Sequence, residues 1–189
     1  MTTRVMLVSP AAGEAQREVR FDDDGPLGAA GVRRARAMAG SWPAAARIVV
    51  APSVRCRRTA EELGLPAEPA SEPGPPGWAM GRWRGRTLAE VSEEEQEAVS
   101  AWLSDPGFTG HGGESLHALC ERAGDWLGEL AATSGRVLAV VEVETVRAAV
   151  VAALRLPPEV FWRLDVPPLA VTELSSRGGR WNLGLGSAR

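Results

Sequence analysis

Three short runs of aliphatic residues punctuate the chain, at 5–8 (Val-Met-Leu-Val), 47–50 (Arg-Ile-Val-Val) and 137–141 (Val-Leu-Ala-Val-Val). None alternates with polar residues, so each predicts a strand buried on both faces, as central strands of a parallel sheet are. Helical spacing of apolar positions appears over 27–39, with Leu27, Val32, Ala35 and Met38 forming one face, and over 54–63, 115–131 and 146–154. Alternating strand and helix patterns predict an α/β fold, a three-layer α/β/α sandwich around a central, mainly parallel sheet. Residues 68–77 are rich in Pro and Gly and read as a loop, and 88–103 reads as one charged helix. Together, 68–110 predicts a lid inserted into a single domain spanning 1–189. Near the end, the apolar segment 169–174, the Arg177-Gly178-Gly179-Arg180 turn and residues 181–185 predict a hairpin that closes one edge of the sheet.

Composition narrows the partners. A formal net charge of −3 provides no general basic field, which sets aside nucleic acid and anionic membrane surfaces. All the basic side chains are Arg and Tyr is absent, a skew that reflects coding bias more than function. The apolar run at 5–8 is too short for a signal segment and no run reaches membrane-spanning length, so a cytoplasmic location is expected. Cys56 and Cys120 stand far apart, without the spacing of a zinc site or a disulfide framework. Asp22-Asp23-Asp24 is contiguous and lacks the alternating spacing of a calcium loop. No metal and no cofactor is expected.

Five motifs occur in an order that carries more information than any one of them. Arg20-Phe21 is followed by Pro26-Leu27-Gly28-Ala29-Ala30-Gly31, and Pro52-Ser53-Val54-Arg55-Cys56-Arg57-Arg58-Thr59-Ala60 follows the second strand. Gly81-Arg82-Trp83-Arg84-Gly85 leads to Thr87-Leu88, Gly112-Gly113-Glu114-Ser115 opens a helix, and Phe161-Trp162-Arg163-Leu164 lies near the end. In this order the chain resembles the histidine phosphatase, or phosphoglycerate mutase-like, superfamily from Val5 to about Leu185. The resemblance implies a pocket at the carboxyl ends of the parallel strands.

The family's reaction uses a histidine in an Arg-His-Gly motif after the first strand, because imidazole is both nucleophilic and largely uncharged near neutral pH. Here Ser9, Pro10 and Ala11 fall on those places, and the proline side chain has no nucleophilic atom. The second family histidine, which holds the transferring phosphoryl oxygens, falls on Glu142, with Val146-Arg147-Ala148 keeping the register. The family's acid falls near Gly77 or Trp78, where no carboxylate stands. Arg55 and Arg20 keep their motif places and are expected to bring positive charge to the cleft. A carboxylate at 142 opposes phosphate by about 1 kcal/mol at ~4 Å even in water-like surroundings, and by more in a drier pocket.

The implied site is therefore built on Glu142 and Arg55. They form either an ion pair that fills the phosphate site, or a general base with an electrostatic stabiliser, the base being Glu142 with Glu144 or Glu14. On an extended strand end Glu142 and Glu144 would share a face and raise one another's pKa. His111 and His117 are the only histidines. His111, in the loop before Gly112-Gly113, is a candidate binding residue at the cleft mouth, and His117 reads as a surface residue of an early helix turn. Ser9 is a candidate contact at a strand tip, although the turn before Pro10 accounts for it without a catalytic role. Trp78 and Trp83 are expected to offer exposed indoles to an organic ligand.

The leading expectation is a catalytically degenerate member of the family, a pseudophosphatase whose remodelled cleft takes a small molecule or a partner protein, with homo-oligomerisation open. Two readings stand beside it: an enzyme repurposed to use Glu142 and Arg55 on a non-phosphorylated substrate, and an ordinary phosphomonoesterase or mutase.

Overall fold

The computed structural model describes residues 2–13, 20–21, 24–66 and 71–185. Glu14, Asp22, Asp23 and the first residues of the expected lid, 68–70, lie outside the described residues. Strands β1 (Thr2–Val8), β2 (Arg47–Val50) and β4 (Gly135–Val140) form where the aliphatic runs stand. Val5 to Val8 and Val137 to Val141 are buried, as strands covered on both faces must be. The strand order is β3-β2-β4-β1-β5-β6, where β3 is Glu72–Pro73, β5 is Val171–Arg177 and β6 is Arg180–Gly184. β3, β2, β4 and β1 run parallel, and β5 and β6 are added antiparallel in turn. The β5–β6 turn is Gly178-Gly179, both at positive φ (60° and 75°), the backbone a two-residue hairpin turn requires and glycine adopts freely.

Helices cover both faces of the sheet, completing the α/β sandwich. On one side α1 (Ala29–Ala37) packs with α2 (Val54–Glu62), and elsewhere α5 (Leu116–Ala131) packs with α6 (Val143–Leu154) and against β1. α5 presents Leu116, Leu119, Ala123, Leu127 and Leu130 inward at three- and four-residue spacing.

The stretch expected as one helix over 88–103 is two, α3 (Leu88–Glu94) and α4 (Gln96–Ser104). The break is at Glu95, whose backbone leaves the helical region (φ −134°, ψ 44°). Its carboxylate accepts from Trp83 Nε1 at 3.1 Å and from the guanidinium of Arg82. β3 likewise forms inside the Pro/Gly-rich stretch expected to be loop, fastened by paired Arg47–Glu72 hydrogen bonds of 2.8 and 2.6 Å.

The register decides where chemistry can gather. Val8 pairs with Val140, and Val140 also pairs with Val50, so β1, β4 and β2 end side by side. The segments beginning at Ser9, Val141 and Ala51 therefore emerge together at the carboxyl edge of the sheet.

Candidate functional site

Each of the three strand tips contributes differently. After β1 the chain is pinned by its own backbone. The Ser9 hydroxyl donates to Pro167 O at 2.7 Å and accepts from Ala170 N at 3.0 Å, while Pro10 O accepts from Leu169 N at 3.3 Å. Ala11 N donates to Thr59 Oγ1 at 3.0 Å. Ser9 is fully buried, so the hydroxyl expected as a ligand contact is instead the fastening between β1 and the 167–170 turn.

The β2 tip leads into α2, whose first N–H groups are satisfied from two sides. Asp24 Oδ1 accepts from Val54 N at 2.6 Å and Ser53 Oγ accepts from Cys56 N at 3.1 Å. Capped in this way, the first turn of α2 carries Arg55 to Glu142, at 2.9 Å between Nη2 and Oε2.

Glu142 is the N-cap residue of α6, but its carboxylate does not cap that helix. It is spent on Arg55, with side-chain exposures of 4% for Glu142 and 24% for Arg55. Burial works against the Arg55 charge, yet Glu142 and Glu144 outweigh it and hold its pKa above the ordinary value. Among the described residues the buried Arg55 Nε–H has no hydrogen-bond partner.

Glu144 joins the pair by a route other than strand geometry. Because α6 begins at Val143, Glu144 sits in its first turn rather than on an extended strand end. Its carboxylate accepts from Trp78 N at 3.4 Å, a weak bond. A Cβ placed on Gly77 would lie 3.0 Å from Glu144 Oε1 and 3.4 Å from Glu142 Cγ. The missing side chain at 77 thus leaves the space into which the α6 carboxylates project. Burial, and then the Glu142 charge, push the Glu144 pKa up.

Beside this cluster lies a cavity of about 500 Å³ lined by Asp24, Ser53, Gly77, Arg84, Glu114 and Arg122 among others. Arg122 holds its wall together, with two 2.8 Å bonds to Glu114 and further bonds to the Pro76 and Gly77 carbonyls at 3.0 and 3.2 Å. Asp24, Glu114 and Arg122 are the site residues that sequence patterns miss. Each acts on a partner distant in sequence or through the backbone, and the Asp22-Asp23-Asp24 run resembles any solvated acidic loop.

Four other expected contacts are placed elsewhere. Trp78 and Trp83 are buried, not exposed. Trp78 Nε1 donates to Glu114 O at 2.8 Å and its ring packs on Trp102, Phe161 and Trp162. Trp83 packs on Phe21, Trp102, Phe108 and His111. A large indole gains more by filling this core than by waiting at a cleft. His111 is fully buried in the same cluster, and its Nδ1 accepts from Gly113 N at 3.1 Å. Burial lowers its pKa, which keeps the ring neutral. His117 is exposed in the first turn of α5. Arg20 donates to Gly85 O at 3.0 Å and bridges to Thr87, joining the segment after β1 to the start of α3. Among the described residues no group of three or more His, Cys, Asp or Glu is placed to hold a metal ion. Among the same residues no helix is long and apolar enough to cross a membrane.

The model of the histidine phosphatase superfamily (branch 1) matches residues 11–186. The chain belongs to this superfamily. Its fold is similar to that of a mycobacterial glucosyl-3-phosphoglycerate phosphatase, at 22% identity with both chains covered completely and a TM-score of 0.82. It is also similar to the α-ribazole phosphatase of Shigella flexneri, at 18% identity, 96% of this chain and 95% of that one, with a TM-score of 0.80. A third likeness is to a phosphoserine phosphatase of Entamoeba histolytica, at 17% identity, 96% and 94% coverage, and a TM-score of 0.79. At these identities the likeness establishes the fold. No curated protein matches the chain.

Proposed function

We propose that this histidine phosphatase-fold protein is catalytically degenerate toward phosphomonoesters and uses its remodelled cleft for binding. The observation that carries the reading is the Arg55–Glu142 ion pair at 2.9 Å. The resemblance implies that the arginine at this motif place holds a phosphoryl oxygen; here a carboxylate of the same chain accepts from its Nη2. Three further features agree. By motif register Pro10 falls on the family's nucleophile place, its turn is fixed by backbone bonds to Leu169 and Ala170, and the neutral His111 ring is enclosed by aromatic side chains. The three solved relatives named above are phosphatases by name, and ordinary phosphomonoester hydrolysis, which that likeness favours, is the alternative to this reading.

Orthovanadate, which resembles a transferring phosphoryl group, provides the test. Titrated into the protein, it should show no binding that depends on Arg55, and Glu142→Gln should create such binding by releasing the guanidinium. Saturable vanadate binding to the unmodified protein that disappears in Arg55→Ala overturns the proposal. The raised pKa of half-buried Glu144 supports a second reading, proton transfer on a non-phosphorylated substrate with Arg55 as electrostatic stabiliser. That reading requires an activity with a carboxylate limb in its pH profile that is lost in Glu144→Gln.

A further inference from the structure

A second cavity lies at the other end of the strands. It is a groove of about 870 Å³ walled by the 40–43 segment that follows α1 and floored by β1, β4, β5 and β6. Arg4, at the start of β1, is separated from Pro10 by about 20 Å of extended chain, so this groove is distinct from the carboxylate cluster.

Its charges are arranged in rows. Arg4 on β1 is the register partner of Arg136 on β4 on one side and of Ser175 on β5 on the other. The three side chains therefore stand abreast on one face. Two like charges directly opposite one another disfavour the sheet unless an anion lies between them. Arg136 is anchored by a 3.2 Å bond to Ala44 O, which fixes the direction of its fork. Among the described residues neither a hydrogen bond nor an ion pair engages the Arg4 guanidinium or the Glu173 carboxylate, although both line the groove. Glu173 lies two residues before Ser175 on β5, one row further along the same face, about 7 Å away.

We infer that this groove binds a small zwitterion, with a carboxylate between Arg4 and Arg136 and an ammonium on Glu173. The arginine pair supplies forked donors suited to a carboxylate. Glu173 completes the pattern and excludes polyanions, whose charge would extend onto a like charge. The half-buried Trp42 walls the groove and offers apolar surface to the methylene body between the two ends.

The probe is 5-aminovalerate, titrated by calorimetry beside valerate, which has only the acid, and pentylamine, which has only the amine. The expected result is saturable binding of 5-aminovalerate that is at least about fivefold tighter than either half-probe, since each exposed charge contact is worth up to ~1 kcal/mol. Arg4→Gln should weaken it about fivefold, and Glu173→Gln should reduce it to the level of valerate. Arg55→Ala, at the other end of the strands, should leave it unchanged. All these positions but Arg55 are at the surface, where substitution leaves folding intact. Equal binding of the three probes, absence of saturation into the millimolar range, or indifference to Arg4→Gln overturns the inference.

Discussion

Glu142 stands where α6 has unfilled N–H groups, and it turns to Arg55 instead. The exposures of the two partners set the cost of separating them. Arg55→Met leaves a carboxylate that is 4% exposed without its counter-charge, and we expect a loss of about 2–4 kcal/mol in urea unfolding. Glu142→Met strands a guanidinium that is 24% exposed, so it should cost less, and the double substitution should recover part of the Arg55→Met loss. An equal cost for both single changes would contradict this picture of the pair. Glu144 is disfavoured as a charged group, because burial raises its pKa in the folded state. A carboxyl raised on folding favours the folded state fully below its ordinary pKa, and that contribution disappears as pH rises through the folded value. Glu144→Gln should therefore raise the melting temperature at pH 7, with the gain vanishing near pH 4; a gain that is constant with pH would contradict it. That Arg55 and Glu142 share one site was readable from motif register, since both residues follow aliphatic strands, although their pairing was one of two alternatives. The roles of Ser9 and Asp24 were not, because each depends on a partner far away in sequence.

The two glycine motifs meet one another, and this explains why they contain glycine. A Cβ on Gly113 would lie 2.0 Å from Ala79 O, and one on Gly81 would lie 2.3 Å from His111 O. The Gly-x-Trp-x-Gly turn and the Gly-Gly-Glu-Ser helix start are therefore packed backbone to backbone, with Arg82 N bonded to His111 O at 3.0 Å and Glu114 N to Ala79 O at 2.8 Å. Gly113→Ala should cost more than about 3 kcal/mol through forced backbone movement. Gly128→Ala, on α5 with nothing within 4 Å of the added methyl, should be neutral or slightly stabilising. Comparable melting temperatures for the two variants would show that the contact is not tight. Strand and helix positions followed from hydrophobic periodicity because their burial is continuous. The interruption at Glu95 did not, since an acid that leaves a helix to meet Arg82 and Trp83 has the same local pattern as one that stays. The tryptophans were misplaced for a related reason: their position beside a motif says nothing about which way the indole turns.

The α/β order of the chain gave the sandwich, and the register of β1, β4 and β2 then determines that residues 9, 142 and 55 share one edge of the sheet. What local pattern could not supply was the burial of each charge at that edge, on which the proposed closing of the cleft to phosphate rests. The molecule keeps the frame of the histidine phosphatases while its best-placed arginine is engaged internally. Phosphomonoester hydrolysis by the purified protein from about pH 4 to 9, beside Arg55→Ala, tests this most directly. The account predicts that both proteins match the uncatalysed blank throughout; turnover by the unmodified protein that Arg55→Ala abolishes would contradict it.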